Sequence, residues 1–298
     1  MRILFLGTPD FAVPTLDALH REHEIALAVA QPDKPAGRGM KMQAPPVAVR
    51  AKELGLDLLQ PPKIRAAEFI DRIRDLAPDI GIVIAYGKIL PAALLEIPKH
   101  GFLNVHASAL PQWRGAAPIQ RSIEAGDRVT GVTIMRVDEQ LDHGPMPAIE
   151  TLEIDPDERT PALSKRLAAL GAETLARVLR EYDGRVETPQ DHERATVAPK
   201  IEKSEGEIRF DETTATIYNR FRAFDPWPGV TFGELKLTDI RPADGSAAPR
   251  TILSIEDDVT IATADGAIRL LEMQRPGKPR TPAGAVARGL GWREGHVL

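Results

Sequence analysis

The chain has 298 residues, of which 43% are hydrophobic and 27% charged, a composition that excludes a disordered chain. Its net charge of −5 excludes a wholly basic nucleic-acid coat but allows a local basic patch. It contains no Cys, which excludes disulfides, thiolate-bound zinc, iron–sulfur clusters and a Cys nucleophile, and favours a reducing compartment. No apolar run approaches the roughly 20 residues that span a bilayer, and the first is too short for a secretory signal, so we expect a cytoplasmic protein of about two domains without membrane contact.

The first half of the chain alternates short apolar runs with amphipathic stretches, which is typical of βαβ units around a parallel sheet. A long helix is predicted to begin at Thr160-Pro161, which combine a capping hydroxyl with Pro at the first helical position. We therefore predict a Rossmann-like, doubly wound parallel sheet domain over residues 1–185. Its predicted strands are Ile3–Leu6, Ile25–Ala30, Ile80–Ala85, Phe102–His106 and Val132–Val137.

The second half has a different pattern. Residues 186–206 are polar and contain Pro, which predicts a linker. Residues 207–298 consist of short β-like segments interrupted by Pro and Gly, which predicts a smaller C-terminal β-barrel of the OB-like type.

Several common catalytic motifs are missing from the sequence. Gly7-Thr-Pro-Asp-Phe follows the first strand where a glycine-rich dinucleotide fingerprint would be expected, and there is no P-loop, H-E-x-x-H or G-x-S-x-G. The seven His show no ligand-like clustering with carboxylates. We expect neither nicotinamide nor ATP chemistry, and no metal.

The most informative stretch contains three polar residues at the period of a strand. Asn104, His106 and Ser108 alternate with apolar residues, so they share one face at the carboxyl end of a predicted strand, where doubly wound sheets place their ligands. An acidic loop that includes Asp142 follows a later strand. A polar strand end without function is the competing interpretation, and a lone loop carboxylate is more often solvated than catalytic.

At these positions the sequence resembles the methionyl-tRNA formyltransferase family, one of the folate-dependent formyltransferases. The resemblance covers essentially the whole chain. It is carried by Asn104-Val-His-Ala-Ser108, Leu110-Pro111, Trp113-Arg-Gly-Ala-Ala-Pro-Ile-Gln120, Gly131-Val-Thr-Ile-Met135, Leu141-Asp142, Gln31-Pro-Asp-Lys-Pro-Ala-Gly-Arg-Gly39, Ala85-Tyr-Gly-Lys-Ile-Leu-Pro91 and Phe224-Asp-Pro-Trp-Pro-Gly229.

The resemblance implies transfer of a formyl group from 10-formyltetrahydrofolate, released as tetrahydrofolate, to the α-amino group of methionine on initiator methionyl-tRNA. Asn104, His106 and Asp142 would form the catalytic group: an amide donor for the developing oxyanion, a residue that titrates near neutrality, and a carboxylate that orients it. By the same resemblance, the folate site would be lined by Ser108, Ala109, Leu110 and Pro111.

An RNA substrate needs local positive charge on this acidic protein. Lys34, Arg38 and Lys41 lie in a Pro- and Gly-containing segment that has no apolar periodicity, and the family pattern implies that this loop binds tRNA, together with the C-terminal domain. An ordinary solvated loop and a site for the glutamate tail of the folate are the competing interpretations of these cations.

Two alternative functions are compatible with parts of the sequence. The acceptor could be an amino-sugar nucleotide or a purine precursor, although the basic loop and the β-rich C-terminal domain favour tRNA. The chain could also be a catalytically silent RNA-binding module, which the intact Asn104, His106 and Asp142 disfavour. We expect no obligate protein partner.

Overall fold

The structure is a computed structural model that describes residues 1–36, 41–182 and 186–298. The chain forms two compact units, each assembled from stretches that are separate in sequence. Unit 1 comprises Met1–Gly115, Thr130–Leu152 and Ser164–Val197, and unit 2 comprises Ala116–Val129, Glu153–Leu163 and Ala198–Leu298. The units are interleaved in sequence, so no single boundary separates them. The expected domain boundaries at 185 and 207 remain a prediction.

The described residues contain the following elements. The strands are β1 (Arg2–Gly7), β2 (Glu24–Val29), β3 (Lys34–Ala36), β4 (Lys41–Gln43), β5 (Leu58–Leu59), β6 (Ile80–Ile84), β7 (Phe102–His106), β8 (Arg114–Gly115), β9 (Val129–Arg136), β10 (Ala148–Glu153), β11 (Val197–Ala198), β12 (Val230–Phe232), β13 (Leu235–Ala243), β14 (Ile252–Ile255), β15 (Val259–Ala262), β16 (Ala267–Gln274) and β17 (Arg280–Pro282). The α-helices are α1 (Val13–Glu22), α2 (Pro46–Glu53), α3 (Ala67–Leu76), α4 (Ala92–Leu95), α5 (Pro118–Ala125), α6 (Thr160–Arg180), α7 (Thr214–Ala223) and α8 (Ala283–Gly289). Among the described residues, none of the helices is long and apolar enough to cross a membrane.

Unit 1 is built on a seven-stranded sheet in the order β10-β9-β7-β6-β1-β2-β5. The five neighbouring strands β5, β2, β1, β6 and β7 run parallel to one another, whereas β9 runs antiparallel to β7. The predicted Rossmann-like domain is confirmed, with one difference: the sheet is mixed. Sequence pattern does not reveal this, because a buried apolar strand looks the same in either direction.

Both faces of this sheet are covered by apolar helix faces. Successive strand residues point to opposite faces, so each strand contributes to two cores. On one side the sheet packs against α1, α2 and α6 through Ile3, Phe5, Ile82, Leu103, Val105, Leu16, Leu19, Val47, Leu175 and Val178. On the other it packs against α3 and α4 through Leu4, Leu6, Val29, Phe69, Ile73, Leu94 and Phe102.

Unit 2 contains an antiparallel sheet in the order β12-β13-β16-β15-β14, with β17 also paired to β16. Its buried side chains include Ile217, Phe221, Leu237, Ile240, Val259, Ile261, Ile268, Leu270, Met273 and Val286. The predicted class, a parallel-sheet domain followed by a smaller β domain, is therefore confirmed, and the antiparallel sheet is consistent with the OB-like type.

The segment expected to be a linker, residues 186–206, has structure of its own. It carries β11, which pairs with β8, and two short 3₁₀ turns, His192–Arg194 and Lys203–Gly206. Its polar composition gave no apolar periodicity from which these elements could be recognised.

Candidate active site

The carboxyl end of β7 carries the two polar residues that the sequence singled out. Leu103 and Val105 point into the core beneath α1 and α6, so Asn104 and His106 point to the opposite face. His106 is buried, with 5% of its surface exposed, while Asn104 is half-buried. Within the ranges that the structure describes, the Asn104 amide makes no hydrogen bond. It is therefore an open donor beside a buried imidazole.

The hydrogen bond of the His106 ring indicates which of its two nitrogens carries a proton. Nε2 lies 2.9 Å from the carbonyl oxygen of Trp113, and a carbonyl can only accept, so Nε2 is the donor. The neutral ring then presents Nδ1 as an acceptor. Nδ1 faces Oδ2 of Asp142 at 3.6 Å, which is longer than a hydrogen bond. The two acceptors are thus placed to take one proton between them.

Asp142 is held in an uncommon backbone conformation. Its φ is +48°, in the left-handed region, and Trp113 has a φ of +62°. The carboxylate Oδ2 accepts a hydrogen bond of 2.8 Å from the backbone N–H of Gly115. Residues in this region persist where their surroundings hold them, and they cluster at functional sites. The structure therefore brings together Asp142 and His106, as expected from the sequence.

A buried amide that the sequence reading missed lies behind the Asp142 loop. The Gln190 side chain, 5% exposed, donates to the carbonyl oxygens of Asp142 at 3.0 Å and Gly144 at 2.8 Å. Its Oε1 accepts from Nε and Nη2 of Arg114, at 3.0 and 2.6 Å. Only Gly fits at position 144, because a Cβ there would lie 2.2 Å from the carbonyl oxygen of Arg136. Gln190 lies in the segment predicted as a linker, where a lone Gln carries no signal.

Two histidines stack beside this loop. The rings of His143 and His192 are parallel, with centroids 4.0 Å apart. His192 Nδ1 accepts from Nη2 of Arg114 at 2.8 Å, because a guanidinium can only donate. His143 Nδ1 lies 3.0 Å from Oδ2 of Asp138. The loop is therefore braced internally by the Asp138–His143 contact and packs through His143 against His192.

The segment expected to line the folate site is largely engaged in internal contacts. Ser108 is fully buried, and its hydroxyl donates to the carbonyl of Gln112 at 2.6 Å. The backbone N–H of Leu110 donates to Oγ1 of Thr133 at 3.0 Å, and the Leu110 side chain is buried. The half-buried members of the segment are Ala109 and Pro111. Folate contact by Ser108–Pro111 stays a prediction, and contact through the Ser108 hydroxyl would require its present bond to break.

Tyr86 is a second buried polar group at this edge of the sheet, just after β6. Burial raises the pKa of its hydroxyl to about 12, so it stays protonated. The hydroxyl has no hydrogen-bond partner among the described residues, while the Tyr86 carbonyl accepts from the Thr8 hydroxyl at 3.1 Å. Tyr86 belongs to a stretch quoted for the family resemblance, but its own chemistry was not predicted.

Two of the three basic residues expected to bind tRNA, Lys34 and Lys41, lie on paired strands instead of in an irregular loop. β3 and β4 pair antiparallel, with Lys34 opposite Gln43. Lys41 lies two residues from Gln43, so both lysines are on one face of the hairpin, and both are exposed. Arg38 lies outside the described residues. The hairpin was missed because each of its strands is only three residues long, too short to show a periodicity.

No group of three or more His, Cys, Asp or Glu in the described part of the chain could hold a metal ion. The expectation of a metal-free reaction stays a prediction.

Comparisons with known proteins agree over the full length. Residues 1–179 match the family described as formyl transferase, and residues 200–291 match the formyl transferase C-terminal domain. The chain is 44% identical over 303 residues to methionyl-tRNA formyltransferase of Thermus thermophilus. The alignment covers 100% of this chain and 99% of that protein.

Two solved structures share the fold at lower identity. WlaRD, a sugar 3N-formyl transferase crystallised in the presence of dTDP and 5-N-formyl-THF, has a TM-score of 0.72 and 16% identity, covering 94% of this chain and 99% of that chain. HypX from Aquifex aeolicus in complex with tetrahydrofolic acid has a TM-score of 0.62 and 20% identity, covering 96% of this chain and 47% of that chain. At these identities the likeness concerns the fold alone.

Proposed function

Because this chain belongs to the methionyl-tRNA formyltransferase family, it transfers a formyl group from 10-formyltetrahydrofolate to methionyl-tRNA, and we propose that Asn104, His106 and Asp142 carry the transfer. The reaction yields N-formylmethionyl-tRNA for translation initiation. The observation that carries the residue assignment is the open Asn104 amide on the same strand face as His106, whose Nδ1 lies 3.6 Å from Oδ2 of Asp142.

Asn104 would stabilise the negative charge that develops on the formyl oxygen. The neutral amine of methionine attacks the formyl carbon, a C–N bond forms, and electron density moves to the oxygen. A half-buried amide N–H without a protein partner is suited to this role, because it donates without changing charge and needs no rearrangement of existing bonds.

The His106–Asp142 pair would move the proton. As the attacking amine becomes positively charged, its proton passes to Nδ1 of His106, and the resulting imidazolium is paired with the Asp142 carboxylate 3.6 Å away. The bond between the formyl carbon and the donor nitrogen then breaks, and the nitrogen leaves with the electron pair and receives the proton. The pair returns to its starting state, so atoms and charges balance.

The finer assignment to initiator methionyl-tRNA can be tested directly. We expect formylated product when the protein is incubated with 10-formyltetrahydrofolate and charged initiator tRNA, and much slower transfer to charged elongator methionyl-tRNA. Parallel reactions contain an amino-sugar nucleotide or a purine-precursor amine as acceptor. Efficient transfer to either small amine, with none to tRNA, would overturn the proposed acceptor. Binding of tRNA without transfer to any acceptor would indicate a silent RNA-binding protein.

The hairpin of β3 and β4 is proposed to contact tRNA phosphates, together with Arg38 and the C-terminal domain. Lys34 and Lys41 share one exposed face, and neither has an ion-pair partner among the described residues. Two cations on one face of a two-stranded hairpin fit a nucleic-acid backbone, where each neutralised phosphate releases counterions. We also propose that the protein acts in the cytoplasm, without membrane contact or an obligate protein partner.

Replacing both Lys34 and Lys41 by Gln should raise the KM for tRNA and reduce its salt-dependence slope by up to about two. The KM for 10-formyltetrahydrofolate should barely change. The matched control replaces the exposed Lys52 and Lys99 by Gln, which removes the same charge from two helix or loop positions elsewhere. A raised KM for folate with unchanged tRNA kinetics would instead assign the hairpin to the glutamate tail of the folate.

A further inference from the structure

We propose that Gln190 is a positioning residue for the transfer, which acts by holding Asp142 at its working distance from His106. This inference rests on the proposed catalytic role of Asp142. Among the described residues, Gln190 makes no hydrogen bond to the His106 ring or to the Asp142 carboxylate. It acts through the two backbone segments that supply the partners of the His106 ring.

The Gln190 amide uses its full hydrogen-bonding capacity, and its nitrogen and oxygen bond to two different segments of the chain. Its nitrogen donates to the carbonyls of Asp142 and Gly144, and its oxygen accepts two bonds from Arg114. A buried amide has two donors and an acceptor with two lone pairs, and here all four positions are used. The side chain therefore ties residues 142–144 to Arg114 at a fixed separation.

Arg114 lies between the two residues that contact the catalytic pair from the other side. The Trp113 carbonyl accepts from Nε2 of His106, and the Gly115 N–H donates to Oδ2 of Asp142. Through Arg114, Gln190 thus connects the segment that orients His106 to the loop that carries Asp142. One side chain joins both halves of the proton-transfer pair.

The Asp142 backbone depends on such support. Its φ of +48° belongs to a region that costs a non-Gly residue roughly 1–3 kcal/mol and persists only when neighbouring contacts hold it. The bond from Gln190 is made to the carbonyl of Asp142 itself. Without it, the loop can relax toward a common backbone conformation, and the carboxylate moves away from Nδ1.

Loss of this support should lower kcat and leave substrate binding intact. A displacement of about 1 Å of a catalytic group can cost up to about 100-fold in rate. We therefore expect Gln190→Met, which keeps the length but removes all four hydrogen bonds, to lower kcat by about 10-fold to 100-fold, with both KM values unchanged. Gln190→Glu keeps the acceptor for Arg114 and loses both donors, so it should lower kcat to a similar extent.

The decisive experiment is a double-mutant cycle between Gln190→Met and Asp142→Asn. If Gln190 acts through Asp142, the double variant should match Asp142→Asn within about twofold, because the positioned group is already disabled. The control is Gln60→Met, which removes an amide that donates to the Gln31 carbonyl and to Asp33, next to the edge strand β5 and several strands away from β7. Its kcat should equal that of the unmodified protein.

The outcomes separate the two proposals. Loss of kcat in Asp142→Asn but not in either Gln190 variant would overturn the positioning role alone. Independent, multiplicative losses would show that Gln190 does not act through Asp142 and would also overturn the positioning role. A near-normal kcat in Asp142→Asn would overturn the catalytic assignment and the positioning role together. Using both Gln190 variants keeps the test decisive if one of them does not fold.

Discussion

Asn104→Ala is expected to lower kcat by about two to three orders of magnitude, the usual cost of removing one oxyanion donor. The reason is that its amide is half-buried, makes no hydrogen bond within the described residues, and is therefore free to donate to the developing charge. The melting temperature should change little, because no existing bond is lost. Steady-state formyl transfer and a thermal melt measure the two quantities.

The chain's other asparagine provides the matched control. Asn219 accepts a 2.6 Å hydrogen bond from the buried Arg222, whose pKa is lowered by burial. Asn219→Ala should destabilise the fold by about 1–3 kcal/mol, since a buried charged donor loses its partner, while kcat at a temperature below the melt stays the same. Near-normal turnover of Asn104→Ala would remove Asn104 from the mechanism.

His106→Gln is expected to lower kcat by about two to four orders of magnitude, the range for loss of a positioned acid–base group. A Gln amide can still donate to the Trp113 carbonyl, which His106 Nε2 bonds at 2.9 Å, but it offers no nitrogen that takes a proton opposite Asp142. The KM values should change much less than kcat, because the Trp113 contact is kept. Steady-state formyl transfer by both proteins makes this measurement.

Replacement of the exposed His296 by Gln is the control for His106, and its kcat should match that of the unmodified protein. If kcat of His106→Gln stays near that of the unmodified protein, His106 does not move the proton. The proton route would then need to run through Asp142 alone.

The sequence was most informative where a local pattern determines the structure. β7 was predicted with its observed bounds because two apolar residues, Phe102 and Leu103, are followed by the alternation of Asn104, Val105 and His106. The same alternation placed Asn104 and His106 on one face. The family motif supplied Asp142, and the structure adds its position: 3.6 Å from Nδ1 of His106.

Features that depend on distant contacts were not predictable from a local pattern. Strands β3 and β4 are three residues long, so periodicity cannot reveal them. Gln190 is one polar residue in a polar segment, and its partners lie 76 and 48 residues away in sequence. The antiparallel direction of β9 and the interleaving of the two units likewise leave no mark on the pattern of hydrophobic residues.

The interleaved units have a consequence for synthesis on the ribosome. α5 belongs to unit 2 and packs against α7, with Ile119 and Ile123 buried and Glu124 paired to Arg220 at 3.7 Å. Translation at about 5–20 residues per second supplies the intervening stretch of about 100 residues in about 5–20 s. During that interval the apolar face of α5 has emerged without its partner. The nascent chain therefore exposes an apolar helix face between strands β7 and β9 of the unit 1 sheet. A chaperone bound to α5 would protect this face from aggregation until α7 is made.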